Sequence, residues 1–246
     1  MRQVIIITGI GKGFGRELLK YFVKDYYVIG ITRSEDDIRM LESEMYHAKD
    51  NFELIASDVT NYELLEQKLS TCLEDKTDSV YGLINNAGVR CRESFLSLSI
   101  ADIKNVVEVN LFAAIFLSKI VMPYFINNGS GRIINVSSIL STNALPNLSA
   151  YTLSKAGLDG FTRSIAAEFS HQGITCNSIL PGFCKTSYFD KFKSNQNLYD
   201  MTLSRIPAKR WGTDDELIGV CELLMSPRGD YINGTSIPID GGWTAS

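Results

Sequence analysis

Histidine and proline are scarce in this chain, and cysteines stand unpaired. The two histidines, His47 and His171, lie far apart in sequence, so no metal-ligand cluster is expected. Five cysteines (Cys72, Cys91, Cys176, Cys184 and Cys221) form no CxxC pair; odd in number and scattered, they read as reduced thiols in a cytoplasmic protein. Six prolines and 19 glycines in 246 residues exclude a collagen-like or low-complexity chain. Charge of one sign is also lacking: the net charge is −4 and no basic run stands out, which argues against a nucleic-acid or acidic-membrane partner. The opening MRQVIIITG is too short for a signal h-region. The longest apolar stretch, Val106 to Phe125, is interrupted by Asn110, Ser118, Lys119 and Pro123. A membrane span needs about 20 mostly apolar residues, so this segment reads as a buried helix.

What is present is a chain 45% hydrophobic and 21% charged, long enough for one large domain over residues 1–246. Short β-branched runs alternate with helical patterns. Val4–Thr8, Tyr27–Thr32, Phe52–Ser57, Val80–Asn85, Gly131–Ser137 and Ile174–Leu180 read as strands, apolar on both faces. Gly13–Lys24, Asn61–Glu74, Ile100–Asn127, Ser149–Ser170 and Thr213–Met225 read as helices, the last opened by a Thr213…Glu216 capping box. This alternation implies an α/β fold, a doubly wound parallel sheet with helices on both faces. In such sheets ligands bind beyond the carboxyl ends of the strands.

Thr8-Gly9-Ile10-Gly11-Lys12-Gly13-Phe14-Gly15 follows the first strand and opens the first helix. Glycines there let the backbone turn tightly and approach a pyrophosphate, while helix N–H groups favour its charge. The second strand ends Thr32-Arg33, with Lys12 as a second cation and no carboxylate at that spot. An acidic residue would accept from the free ribose hydroxyls of NAD(H), so these cations favour NADP(H) over NAD(H). Asp36 and Asp37 are expected to lie past the ribose. Asp58-Val59 closes the third strand, where Asp58 either accepts from an adenine amino group or caps the next helix. Asn85-Asn86-Ala87-Gly88 closes the fourth, allowing close approach to a cofactor or simply turning the chain.

Tyr151 and Lys155 stand four apart at a helix start and so share a face; Ser137-Ser138 ends the preceding strand. A phenol, with a pKa of about 10, becomes a useful acid/base only when a nearby cation favours its phenolate. Lys155 supplies that cation, and a serine hydroxyl can polarise a carbonyl gaining negative charge. Asn110, inside an apolar helix, is either a satisfied core amide or part of a water-linked proton path.

Assembled in order, these motifs, with Pro181-Gly182 and the closing Asn233-Gly234…Asp240-Gly241-Gly242, resemble the classical short-chain dehydrogenase/reductase family over essentially the whole chain. The resemblance implies a single-domain Rossmann fold with Tyr151 as general acid/base. Lys155 would bind the nicotinamide ribose and lower the Tyr pKa, Ser138 would orient the carbonyl, and Asn110 would position a relay water. Pro181, Gly182, Phe183, Cys184 and Thr186 would hold the carboxamide and pyrophosphate. The resemblance also implies a homo-oligomer, tetramer or dimer, built partly through the two long helices. Ile10 and Phe14 are bulkier than the family's usual turn residues.

The closest look is to 3-oxoacyl-[acyl-carrier-protein] reductases, which dock an acidic carrier through basic residues. Here the matching stretches, Asn127-Asn128-Gly129-Ser130 and His171-Gln172-Gly173, carry no Lys or Arg. The leading expectation is therefore an NADP(H)-dependent oxidoreductase acting on the carbonyl or secondary alcohol of a small polar or sugar-like substrate. Acyl-carrier reduction and a non-catalytic dinucleotide-binding regulator are the alternatives. Residues 187–210 are expected to form a substrate lid with short helical patterns. Its Tyr188, Phe189, Phe192 and Tyr199, beside Lys191, Lys193, Arg205, Lys209 and Arg210, either close over an anionic ligand or form a packed face with solvated charges; Arg90 and Arg92 pose the same choice.

Overall fold

A computed structural model describes residues 2–185 and 196–245. Among them seven strands form one parallel sheet: β1 (Val4–Thr8), β2 (Tyr27–Thr32), β3 (Phe52–Ala56), β4 (Val80–Asn85), β5 (Gly131–Val136), β6 (Ile174–Pro181) and β7 (Ser236–Ile239), in the order β3-β2-β1-β4-β5-β6-β7. The alternation of side chains along a strand assigns two cores. Ile5 and Ile7 of β1 face α1 (Gly13–Phe22) and the helix Asp214–Met225, in a cluster with Leu18, Phe22, Leu217 and Cys221. Val4 and Ile6 face the other way, clustered with Leu65 and Leu69 of α3 (Tyr62–Leu73) and with Leu117, Val121 and Phe125. Each fully buried aliphatic side chain contributes about 1.5–3 kcal/mol, so a strand apolar on both faces fits only between two layers of helices.

Several boundaries differ from the sequence pattern. β3 and β5 each stop one residue early, although the Ser57 and Ser137 amides still donate to the Thr32 and Ile179 carbonyls at 2.8 and 2.9 Å. The expected helix 100–127 is three pieces: α4 (Ile100–Val107), one π-helical turn (Glu108–Phe112) and α5 (Ala113–Asn128). By length and composition Ile100–Asn128 could cross a membrane. Its packing is that of a core helix, since Ala113, Leu117, Val121 and Phe125 are buried in the cluster against the sheet. Two elements had no strong sequence pattern. Helix α2 (Glu35–Glu44) buries only Ile38 and Leu41 and starts on Ser34, whose side chain accepts from the Asp37 amide at 3.2 Å. The edge strand β7 has four residues and contains Pro238.

A third cluster sits past the carboxyl ends of β5 and β6, joining Ile139, Leu140 and Leu148 to Ile206, Trp211 and Trp243. It anchors α6 (Ser149–Phe169) beside the strand ends and supports the helix Gln196–Arg205. The expected capping box forms where Glu216 accepts from the Thr213 amide at 2.9 Å.

Candidate active site

The strand order reverses at β1, whose neighbours are β2 and β4, so a crevice opens between the carboxyl ends of β1 and β4. A cleft of about 500 Å³ occupies it, extending from Arg33 and Asp37, past the glycine turn, to Tyr151 and Lys155. Two turns form its floor and they are tied together. Thr8 Oγ1 accepts from the amides of Asn86 and Ala87 at 3.0 and 2.9 Å. Asn86 Nδ2 donates back to the carbonyls of Thr8 and Gly9 at 2.9 and 3.1 Å. Asn86 therefore shapes the turn through its side chain. Gly9 has φ +73°, and a Cβ on Gly15 would lie 2.2 Å from the Gly9 carbonyl oxygen, so larger residues cannot replace them without moving backbone. Ile10, bulky for this turn, is accommodated because Gly30 faces it: a Cβ on Gly30 would lie 2.8 Å from Ile10 Cδ1. Phe14 likewise packs into the core, 7% exposed.

Lys12, at the N-cap of α1, gives that helix no side-chain cap. First-turn amides of a helix favour an anion, and here they open beside Gly11, Gly13 and Gly15 in the cleft lining. That cradle, free of side chains, fits a pyrophosphate. At the end of β2, Lys12, Thr32 and Arg33 line the cleft as expected. The two nearby aspartates differ. Asp36 is exposed and pairs with Arg39. Asp37, expected past the ribose, instead lines the cleft, its Oδ2 accepting from Thr32 Oγ1 at 3.0 Å. A Cβ on Gly11 would lie 2.1 Å from that oxygen. The direction of the first turn of α2 brings Asp37 back, and without that helix the sequence spacing misplaced it.

Asp58 and Val59 line the cleft, and Asp58 does not cap the next helix. Its Oδ1 accepts from the amide and hydroxyl of Thr60 at 2.9 and 2.7 Å, while Asn61 caps α3. Ala87 and Gly88 line the far wall. A Cβ on Gly88 would meet Asn110 Oδ1 at 3.3 Å and Lys155 Nζ at 3.7 Å, which places this turn against Asn110 and Lys155.

At the other end of the cleft, α6 presents Tyr151 and Lys155 on one face. Lys155 is 4% exposed and its Nζ donates to the Val136 carbonyl at 2.7 Å, locking it beneath the end of β5. Ser138 holds its own turn, accepting from the Leu140 amide at 3.1 Å, and hydrogen-bonds Tyr151. Burial alone would push the phenol up. The charges of Lys155 and Arg90, with hydrogen bonds from Ser138 and Arg90, outweigh it and hold Tyr151 below its usual range. Lys155 is lowered too, first by burial and also by Arg90, against the opposing charges of Tyr151 and Asp159. A phenol lowered in this way beside a buried lysine is the kind of group that acid/base chemistry calls for.

Asn110 occupies the π turn, a geometry frequent at functional sites. Its Oδ1 accepts from the Val89 amide at 2.7 Å, and its Nδ2 donates to the Val89 carbonyl at 2.9 Å and to Ser154 Oγ at 3.0 Å. It thereby joins the β4 turn to α6 directly. Pro181 ends β6 and Gly182, Phe183 and Cys184 follow it, but none of them is among the described residues that line the large cleft. Phe183 packs between Trp211 and Trp243, at 5.2 and 5.0 Å between ring centres, and Gly182 donates to the Ile239 carbonyl at 3.0 Å. Thr186 and residues 187–195, with Tyr188, Phe189, Lys191, Phe192 and Lys193, lie outside the described residues. Of the expected lid's remaining cations, Arg205 stacks on Trp243 at 4.3 Å and Arg210 makes a double bridge to Glu216 at 2.8 and 2.6 Å. Tyr199 packs against Trp211. These groups form a packed face.

A nucleotide-type crevice with a tyrosine–lysine–serine acid/base site at one end defines a dinucleotide-binding oxidoreductase fold. The chain belongs to the short chain dehydrogenase family, whose model matches residues 3–197, and it is an oxidoreductase. It is 32% identical over 242 residues to the 3-oxoacyl-[acyl-carrier-protein] reductase of Buchnera aphidicola subsp. Schizaphis graminum, covering 98% of this chain and 97% of the relative. A gluconate 5-dehydrogenase from Burkholderia cenocepacia, solved with NADP and tartrate, superposes with a TM-score of 0.92 at 26% identity, over 99% of this chain and 96% of the other. A 4-hydroxyisoleucine dehydrogenase mutant, solved with NADH and succinate, gives 0.91 at 32% identity, over 99% of each chain.

Proposed function

We propose that this chain is an NADP(H)-dependent carbonyl reductase, reversible as an alcohol dehydrogenase, for a small polar or sugar-like substrate. The observation that carries the reading is the cluster at Tyr151: one phenol held below its usual range by Lys155 and Arg90, at one end of a glycine-floored cleft. Bound nicotinamide supplies the hydride, or accepts it in oxidation. In reduction Tyr151 gives its proton to the carbonyl oxygen while Ser138 donates a hydrogen bond to it. Lys155 holds the ribose and stabilises the phenolate that forms. Asn110, by fixing the β4 turn against α6, keeps that geometry.

The phosphate preference rests on Lys12 and Arg33, two cations against the single carboxylate of Asp37. Both known cofactor types occur among similar structures, so Asp37 bears directly on the choice. One domain carries nucleotide and substrate sites. The apolar side chains left exposed on the long helices, Phe112, Ile126 and Leu153, support a homo-oligomer, dimer or tetramer. Five unpaired cysteines support a reducing, cytoplasmic setting. Acyl-carrier reduction is less well supported, because residues 127–130 and 171–173 offer an acidic carrier no Lys or Arg.

Replacing Tyr151 with Phe tests the reading. Turnover should fall by about 10²–10⁴-fold, while NADPH affinity, read by nucleotide fluorescence, stays within about threefold. Full turnover in this variant would overturn the acid/base assignment.

A further inference from the structure

Among the described residues three charged side chains are buried, Arg132, Lys155 and Asp159, each 4% exposed. Arg132, at the start of β5, has its own acid and bridges Asp230. Lys155 and Asp159 remain, one turn apart on the buried stripe of α6, a spacing that puts their Cβ atoms about 5–6 Å apart. Asp159 Oδ1 is buried without a hydrogen-bond partner. A carboxyl oxygen in that position is destabilising by itself, and a cation one turn away offsets the cost. The other described elements packed on α6 hold their titratable groups elsewhere. β6 offers only the Cys176 thiol, which burial pushes up to about 12, and the turn Ile139–Ser141 has no charged side chain. On α4, Asp102 and Lys104 are exposed, and Glu108 of the π turn accepts from Tyr62. Arg163 and Glu168 of α6, and His171 after it, are exposed too.

Resting on the reductase reading above, we propose that Asp159 is a positioning residue for the reaction: one turn beyond Lys155 in the interior, it keeps that ammonium charged while Tyr151 still holds its proton. Lys155 must carry its charge in both states of the phenol. Two anions support that charge against burial, the Tyr151 phenolate and Asp159, while Arg90 opposes it. Before proton transfer in reduction Tyr151 is neutral, so of these two only Asp159 acts. A buried lysine without such support gives up its proton readily. Tyr151 and Lys155 would then hold one proton between them instead of two. The Val136 carbonyl, which accepts from Lys155 Nζ at 2.7 Å, orients the amine but brings no full charge. Asp159 is not among the described residues that line the cleft, so it reaches the chemistry through Lys155.

The test is the titration of Lys155 itself. In the full chain, made with lysine carrying carbon-13 at Cε, the Lys155 resonance is identified by its loss in Lys155→Met and followed against pH. Asp159→Asn should lower the pH at which Lys155 gives up its proton by about one unit or more, the size of one nearby charge in a protein interior. Asp159→Ala should do the same, which covers an amide that fits the site badly. Asp159→Glu keeps the charge and should bring the titration back to within about half a unit of wild type. A neutral variant that folds and leaves the Lys155 titration unmoved overturns the assignment, since a merely structural aspartate changes Tm and not this titration. So does a Glu variant that titrates like the Asn one, and so does loss of the fold in both neutral variants. NADPH binding, read by nucleotide fluorescence, separates this role from the reductase reading. A chain that binds NADPH with an unmoved Lys155 titration refutes the role of Asp159 alone. A chain that binds no NADPH refutes the reductase reading, whatever Lys155 does, and leaves Asp159 no reaction to serve.

Discussion

The two ends of the cleft carry similar numbers of charges and use them differently. At Tyr151 the charges are crowded around buried or half-buried groups, and they move protonation: Tyr151 down against its burial, Lys155 down with it. At the end of β2, Lys12 and Arg33 are exposed, and Asp37 is shared with the Thr32 hydroxyl. Water screens charges there, so they can rank ligands without changing chemistry. The difference is one of depth. Coulomb energies at equal distance grow several-fold as the effective dielectric falls from that of water toward that of a protein interior. Mutations at the inner end should therefore change rate by orders of magnitude, and those at the outer end should change affinity by modest factors.

Lys155→Met should cost about 10³-fold or more in kcat/KM, measured with any turned-over ketone, since both the ribose contact and the phenolate's cation are lost. Raising Tyr151 is the accompanying effect. In alcohol oxidation Tyr151 must accept a proton, so the rate rises with pH through its folded pKa and levels off above it. Because that pKa is held below the usual range of about 10, the limb lies on the acidic side of an ordinary phenol. Arg90→Gln should move the limb to higher pH; an unchanged limb would mean that Arg90 does not reach the phenol in solution.

Next in size is Asn110→Ala. It would leave the Val89 amide and carbonyl without their side-chain partners, which costs about 1–3 kcal/mol per buried group. A lower Tm with a matching loss of kcat is expected, and an unaltered Tm would show that water replaces the amide. At the outer end, Arg33→Ala should weaken NADPH about tenfold and NADH less than threefold. Equal losses would remove Arg33 from the phosphate. Smallest is Asp37→Asn, expected to tighten NADPH about threefold with little change for NADH.

The inner end was legible because its residues sit at element boundaries with strong patterns. Tyr151 and Lys155 share a helix face by spacing alone, and Ser138 follows a strand written in Val and Ile. β1 to β6 were readable for the same reason, being apolar runs bounded by turns. The outer end was less so. Helix α2 is mostly polar and buries two side chains, so nothing in its apolar period announced it, and Asp37 could not be placed until that helix turned it back. Its one local signal was Ser34 ahead of Glu35, Asp36 and Asp37, an N-cap followed by an acidic first turn. The π turn at Asn110 was invisible because a single inserted residue leaves composition unchanged. Arg90 could be listed from the sequence but not aimed, since it sits on a loop whose direction is set by Asn110 and Thr8.

The most direct measurement is a pair of fluorescence titrations of the purified chain, one with NADPH and one with NADH. The account predicts saturable binding of both with NADPH tighter by about tenfold, the worth of one charge-assisted contact to the added phosphate. NADH bound as tightly as NADPH would contradict the placement of Lys12 and Arg33 against that phosphate, and binding of neither would contradict the dinucleotide cleft itself.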